Sequence, residues 1–194
     1  MTKTRLEAFS DGVIAILITI MVLELKVPHG KSWEELHPAV FTLLLYAMSY
    51  IYIGIYWSNH HHMLHATQHV NGSVLWANLH LLFWLSLVPF VTTWMGETGF
   101  AALPTSIYGV VLLAAAVAYT ILQTAIIRCE GPGSKLKAAV GSDFKGKLSM
   151  LLYVAAIFLA FVHPLLADAI YVTVALIWLV PDKRIEAKLT HQGP

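Results

Sequence analysis

The sequence predicts an all-α integral membrane protein with six transmembrane helices and cytoplasmic N- and C-termini, built as one unit over residues 1–194. Three observations predict it. Of 194 residues, 58% are apolar and only 12% charged, against 45–50% and about 25% in an average soluble domain. The apolar residues are gathered into six segments, and the basic residues fall on one side of them. A disordered chain needs fewer aromatic and β-branched residues, and a soluble globule needs more polar surface.

A membrane helix needs about 20 mostly apolar residues at ~1.5 Å rise each to cross ~30 Å of hydrocarbon. The first candidate runs from about Arg5 to Leu25 and stops at Lys26-Val27-Pro28, where proline ends a helix. The second runs from about Pro38 to Trp57, with proline suited to its start. The third, about Ser73 to Met95, follows Asn71-Gly72 and carries Pro89 inside it. The fourth, about Ser106 to Ile127, ends before the breaker cluster Glu130-Gly131-Pro132-Gly133. Lys147 to Val162 and Leu165 to Val180 are short and separated only by His163-Pro164. Together they exceed one span, so a tight hairpin is predicted. Gly131 to Lys147 reads as a polar cytoplasmic loop, and Trp33, Trp57, Trp94 and Trp178 fall near span ends as interfacial anchors.

Loop charge sets the orientation. With the N-terminus inside, cytoplasmic segments hold Lys3, Arg5, Arg128, Lys135, Lys137, Lys145, Lys147, Lys183, Arg184 and Lys188, while external loops hold Lys26 and Lys31. Ten against two is a positive-inside bias. A five-helix chain would strand Lys183, Arg184 and Lys188 outside. Net charge is +1, which argues against nucleic acid as partner. The single cysteine, Cys129, excludes an intrachain disulfide framework. A cleavable signal peptide is not expected, because Asp11 and Glu24 lie in or beside the first apolar run and no small-x-small site follows.

Charges within a bilayer are expensive, about 2.5–3.5 kcal/mol each on insertion scales, and so mark structure or function. Arg5 and Asp11 are six residues apart, about 240° round a helix, so they cannot pair with each other. Partners for Asp11 are expected on the second and third helices, from histidines or Asn78. His61, His65 and His69 are spaced i, i+4, i+8 and would stack three imidazoles if helical, a candidate metal site without a neighbouring carboxylate or cysteine. His29, His37, His80, His163 and His191 are isolated, which disfavours a di-iron or haem enzyme. No nucleophile constellation or P-loop appears, so neither an enzyme nor an ATP-driven pump is predicted. A proton- or cation-coupled secondary transporter is the alternative, using Asp11 and Asp168 around Pro89 or Pro164. Asp168 itself is expected at the outer hairpin, in water.

One run of residues goes further. Arg5-Leu6-Glu7-Ala8-Phe9-Ser10-Asp11-Gly12 resembles the R-x-x-x-F-S-D signature at the start of the first helix in the transmembrane protein 175 family of potassium channels. Tyr56-Trp57-Ser58-Asn59-His60-His61, Asn78-Leu79 and Pro89-Phe90 extend the resemblance, which covers roughly residues 4 to 180.

The resemblance implies a potassium-favouring cation channel in the bacterial single-unit form, a homotetramer in the cell membrane, with potassium as permeant ion and no cofactor. It implies that the first helix lines the pore, with Ile16, Thr19, Ile20 and Leu23 facing the ions. These positions share one helical face, yet the helix is apolar all round from Val13 to Leu23, so periodicity alone cannot separate a pore face from a lipid face. The T-V-G-Y-G filter of the usual potassium channels is absent, which leaves an apolar constriction able to gate by dewetting. The resemblance further casts Arg5, Phe9, Ser10, Asp11, Trp57, His61 and Asn78 as a structural network holding the first helix against the second and third.

Overall fold

A computed structural model describes residues 2–25, 27, 31–141 and 143–179, and every described element is helical. Lys26, Pro28, Lys183, Arg184 and Lys188, which entered the boundary and orientation arguments, lie outside the described residues. Helix α1 spans Lys3–Ile20 and tightens into a 3₁₀ turn over Met21–Glu24. Helix α2 spans Trp33–His65, 33 residues, or about 50 Å of helix. It overruns the expected Trp57 end because no glycine or proline interrupts the chain between Trp57 and His65.

The expected third segment is two helices, α3 over Gly72–Ser86 and α4 over Val88–Glu97, broken at Leu87. Pro89 has no N–H for the carbonyl one turn back and sits in the first turn of α4, where that loss is tolerated. Asn71 caps α3, its side chain accepting from the Val74 N–H at 3.0 Å. Helix α5 spans Ala102–Glu130 and stops at Gly131, whose φ of 72° suits glycine.

The connection expected to be a plain loop contains a short helix, α6, over Lys135–Val140. Ser134 caps it by accepting from the Lys137 N–H, and Leu136 anchors it in the core. Helices α7 (Phe144–Leu159) and α8 (Pro164–Leu179) divide the final apolar stretch at residues 160–163, as the His163-Pro164 pair predicts. They run antiparallel, since the Trp178 indole donates to Ser149 Oγ at 2.8 Å and Tyr153 meets Tyr171 nearer the turn.

Helix α5 is the spine, packing against α3, α4, α7 and α8 through Tyr108, Leu112, Ala115, Ala118, Leu122 and Ile126. Gly109 permits the closest approach: a Cβ there would fall inside contact distance of the Tyr171 hydroxyl and 2.9 Å from Ile157 Cγ1. Among the described residues, four segments are long and apolar enough to cross a membrane: Lys3–Glu24, Ala39–His65, Gly72–Glu97 and Ala102–Gly133. Helix α8 is apolar but has 16 residues. Helix α1 stands at the edge of this bundle, resting on α2 and α3.

Candidate functional site

Helix α1 has two unlike faces. Leu6, Ser10, Ile14, Leu17 and Met21 are buried, and at about 100° per residue they fall within an arc of roughly 80°. Outside that arc Ile16 is 56% exposed, Ile20 42% and Leu23 77%, and Thr19 is exposed too. The four residues named for the pore therefore lie outside the buried arc, on a side that no described residue covers. The Thr19 hydroxyl donates back to its own helix, to the carbonyls of Ala15 at 3.0 Å and Ile16 at 2.9 Å. That leaves its oxygen with lone pairs able to accept.

The covered face is held by a buried polar chain. Ser10 Oγ donates to the Leu6 carbonyl at 2.9 Å and accepts from Asn78 Nδ2 at 2.9 Å. Asn78 Oδ1 is then the acceptor for His60 Nε2–H at 2.7 Å. All three residues are fully buried, so α1, α3 and α2 are tied together where water cannot substitute. His60 Nδ1, the acceptor nitrogen of this tautomer, has no partner among the described residues.

Two further links lie nearer solvent. Asp11 Oδ1 accepts from Trp57 Nε1 at 3.0 Å, so the donor is the indole rather than the histidine or Asn78 expected from sequence. The His61 imidazole lies 3.3 Å from Glu7 Oε1 and stacks on Trp57, with ring centroids 6.2 Å apart. Arg5 and Phe9 stand outside these links, on the exposed side of α1.

His60 is the member that sequence reasoning passed over. Ending the second span at Trp57 left His60 outside it. The continuous pattern Leu45, Ser49, Tyr52, Ile53, His60, Met63 and Leu64 is the buried stripe of α2, and its helical spacing is the signal that marks His60 as buried.

The three-imidazole stack does not form. His61 and His65 lie 6.2 Å apart at 22°, but the helix ends at His65, and His69 follows beyond it. Among the described residues no three histidine, cysteine or carboxylate side chains converge as metal ligands. Asp168 is also not where it was expected. Both its carboxylate oxygens are buried without a hydrogen-bond partner among the described residues, because the first turns of α8 pack inward towards Tyr108.

Comparison with known proteins identifies the family. Residues 5–89 match the family described as "Endosomal/lysosomal potassium channel TMEM175". A potassium channel of Chryseobacterium sp. (strain P1-3) is 59% identical over 189 residues, covering 97% of this chain and 98% of that protein. A potassium channel of Streptomyces collinus is 31% identical, covering 89% of each. The crystal structure of a lysosomal potassium-selective channel TMEM175 homolog from Chamaesiphon minutus superimposes with a TM-score of 0.75 at 27% identity, covering 92% of this chain and 96% of that one. With the R-x-x-x-F-S-D run on the helix whose inner face is pinned by Ser10 and whose outer face is bare, this chain belongs to the TMEM175 family.

Proposed function

We propose that four copies of this chain surround a central pore lined by the uncovered stripe of α1. The chain is a multi-pass membrane protein and a potassium channel, moving ions passively down their electrochemical gradient, and not an enzyme. The observation that carries the pore assignment is the contrast between the two faces of α1: Ile16, Ile20 and Leu23 are bare while Ser10 is locked in the core. An apolar stripe of a membrane helix faces either lipid or a pore, and likeness to potassium channels supports the pore: four-fold repetition turns each stripe towards one axis.

In that arrangement Ile16, Ile20 and Leu23 form stacked apolar rings, and the Thr19 oxygens form the polar ring between them. Apolar rings block ions by dewetting, and a widening of the constriction restores conduction. Glu24, exposed at the end of the same segment, adds negative charge at the outer mouth and raises the local cation concentration. Asn78 and His60 fix the rotation of α1, and with it every ring. Helices α7 and α8 complete six crossings as a short hairpin, each 16 residues or about 24 Å. Both termini are then cytoplasmic, in the cell membrane of a bacterium.

Single-channel recording of Ile16→Asn tests the assignment. A polar ring at that level wets the constriction, so conductance rises and the preference for potassium over sodium falls. Unchanged conductance and unchanged preference would remove Ile16 from the ion path.

A further inference from the structure

Between α3 and the last turns of α5 lies an open groove of about 680 Å³ that the pore account does not use. One end is polar and positive, with Asn71, Ser73 and Arg128; further along, Trp76, Ala77 and Ile121 line it together with the polar His80 and Thr120. Trp76 is 75% exposed and Arg128 is exposed. Among the described residues Arg128 has neither an ion-pair nor a hydrogen-bond partner. Its neighbour Glu130 is already engaged, Oε1 accepting from the Gln68 N–H at 2.7 Å and Oε2 from Ser134 Oγ at 3.0 Å. The α3 N-terminus at Gly72 opens onto the same end, so a guanidinium and the positive end of a helix converge with no acid between them.

From this we infer that the groove holds a phospholipid with an anionic headgroup, its phosphate on Arg128 and Ser73 and its acyl chain along Trp76 and Ile121. A second copy of the chain is a poorer occupant, because it would have to bring an unpaired carboxylate to Arg128 at the depth where Trp76 marks the interface. Guanidinium takes phosphate bidentately, and an exposed indole one turn along the helix lies at headgroup level. The leaflet is the cytoplasmic one if the orientation proposed above holds, on which this part of the inference rests.

Native mass spectrometry of the intact protein, with phosphatidylglycerol and phosphatidylcholine added in equal amount, tests the site. Phosphatidylglycerol adducts are expected to dominate, and Arg128→Gln to lower their occupancy about fivefold, the equivalent of one basic residue near an anionic surface. Arg128→Lys should retain most of that binding. Equal adducts of both lipids, or phosphatidylglycerol occupancy unchanged in Arg128→Gln, overturns the site. So does a groove closed by a second copy, seen as loss of lipid adducts on assembly. Orientation is read separately by labelling Cys129, at the same end of the groove, with a membrane-impermeant maleimide. Labelling in inverted vesicles but not spheroplasts supports the cytoplasmic leaflet, and the reverse overturns it without touching lipid preference.

Discussion

Asn78 is the joint on which the position of α1 depends, and removing it has a calculable cost. Asn78→Ala deletes two hydrogen bonds, to Ser10 at 2.9 Å and to His60 at 2.7 Å, among side chains with no solvent exposure. Side-chain hydrogen bonds within membrane bundles average about 0.6 kcal/mol and reach about 1.7. The two together therefore contribute about 1–3 kcal/mol, and the stranded His60 N–H keeps the loss towards the upper end. A double-mutant cycle isolates the part that bears on α1. Unfolding free energies of the parent, Ser10→Ala, Asn78→Ala and the double variant, from denaturant titration in micelles, should give a Ser10–Asn78 coupling of about 0.6–1.7 kcal/mol. Additivity to within about 0.3 kcal/mol would mean that the two side chains do not interact, and the claim that α3 sets the rotation of the pore helix would fail.

Two other substitutions probe the bundle around the pore. Gly109→Ala drives a methyl group into the Tyr171 hydroxyl and Ile157, so thermal unfolding should show a loss of about 1–3 kcal/mol, the usual cost of overpacking. Asp168→Asn replaces a carboxylate whose two oxygens are buried and without a partner among the described residues. The neutral amide is cheaper to bury, so at neutral pH the variant should melt higher than the parent, while a lower melting temperature would mean that the carboxylate is usefully paired.

The helices were legible where their signals are local. Apolar length marked the first, second and fourth segments, and His163-Pro164 marked the hairpin between α7 and α8. Pro89 was visible too, but whether it kinks or breaks a helix depends on what holds the chain on either side, and the outcome is a break at Leu87. Sequence periodicity failed on α1 for a plain reason: a helix apolar all round carries no moment, and its buried face was identifiable only by one polar residue, Ser10, finding Asn78. Tertiary partners are the part that spacing cannot supply. Trp57 read as an interfacial anchor and is the donor to Asp11, while Asp168 read as a solvated hairpin residue and has its carboxylate oxygens buried. In both cases the chain position was right and the direction of the side chain was set by a neighbouring helix.

Passage of potassium by diffusion through a pore is tested by reversal potentials of the reconstituted protein under bi-ionic potassium and sodium conditions. The expected result is a macroscopic current whose reversal lies towards the potassium equilibrium potential and does not move with an imposed proton gradient at constant potassium. A reversal at zero millivolts, or a flux that stops when the proton gradient is removed, would contradict it.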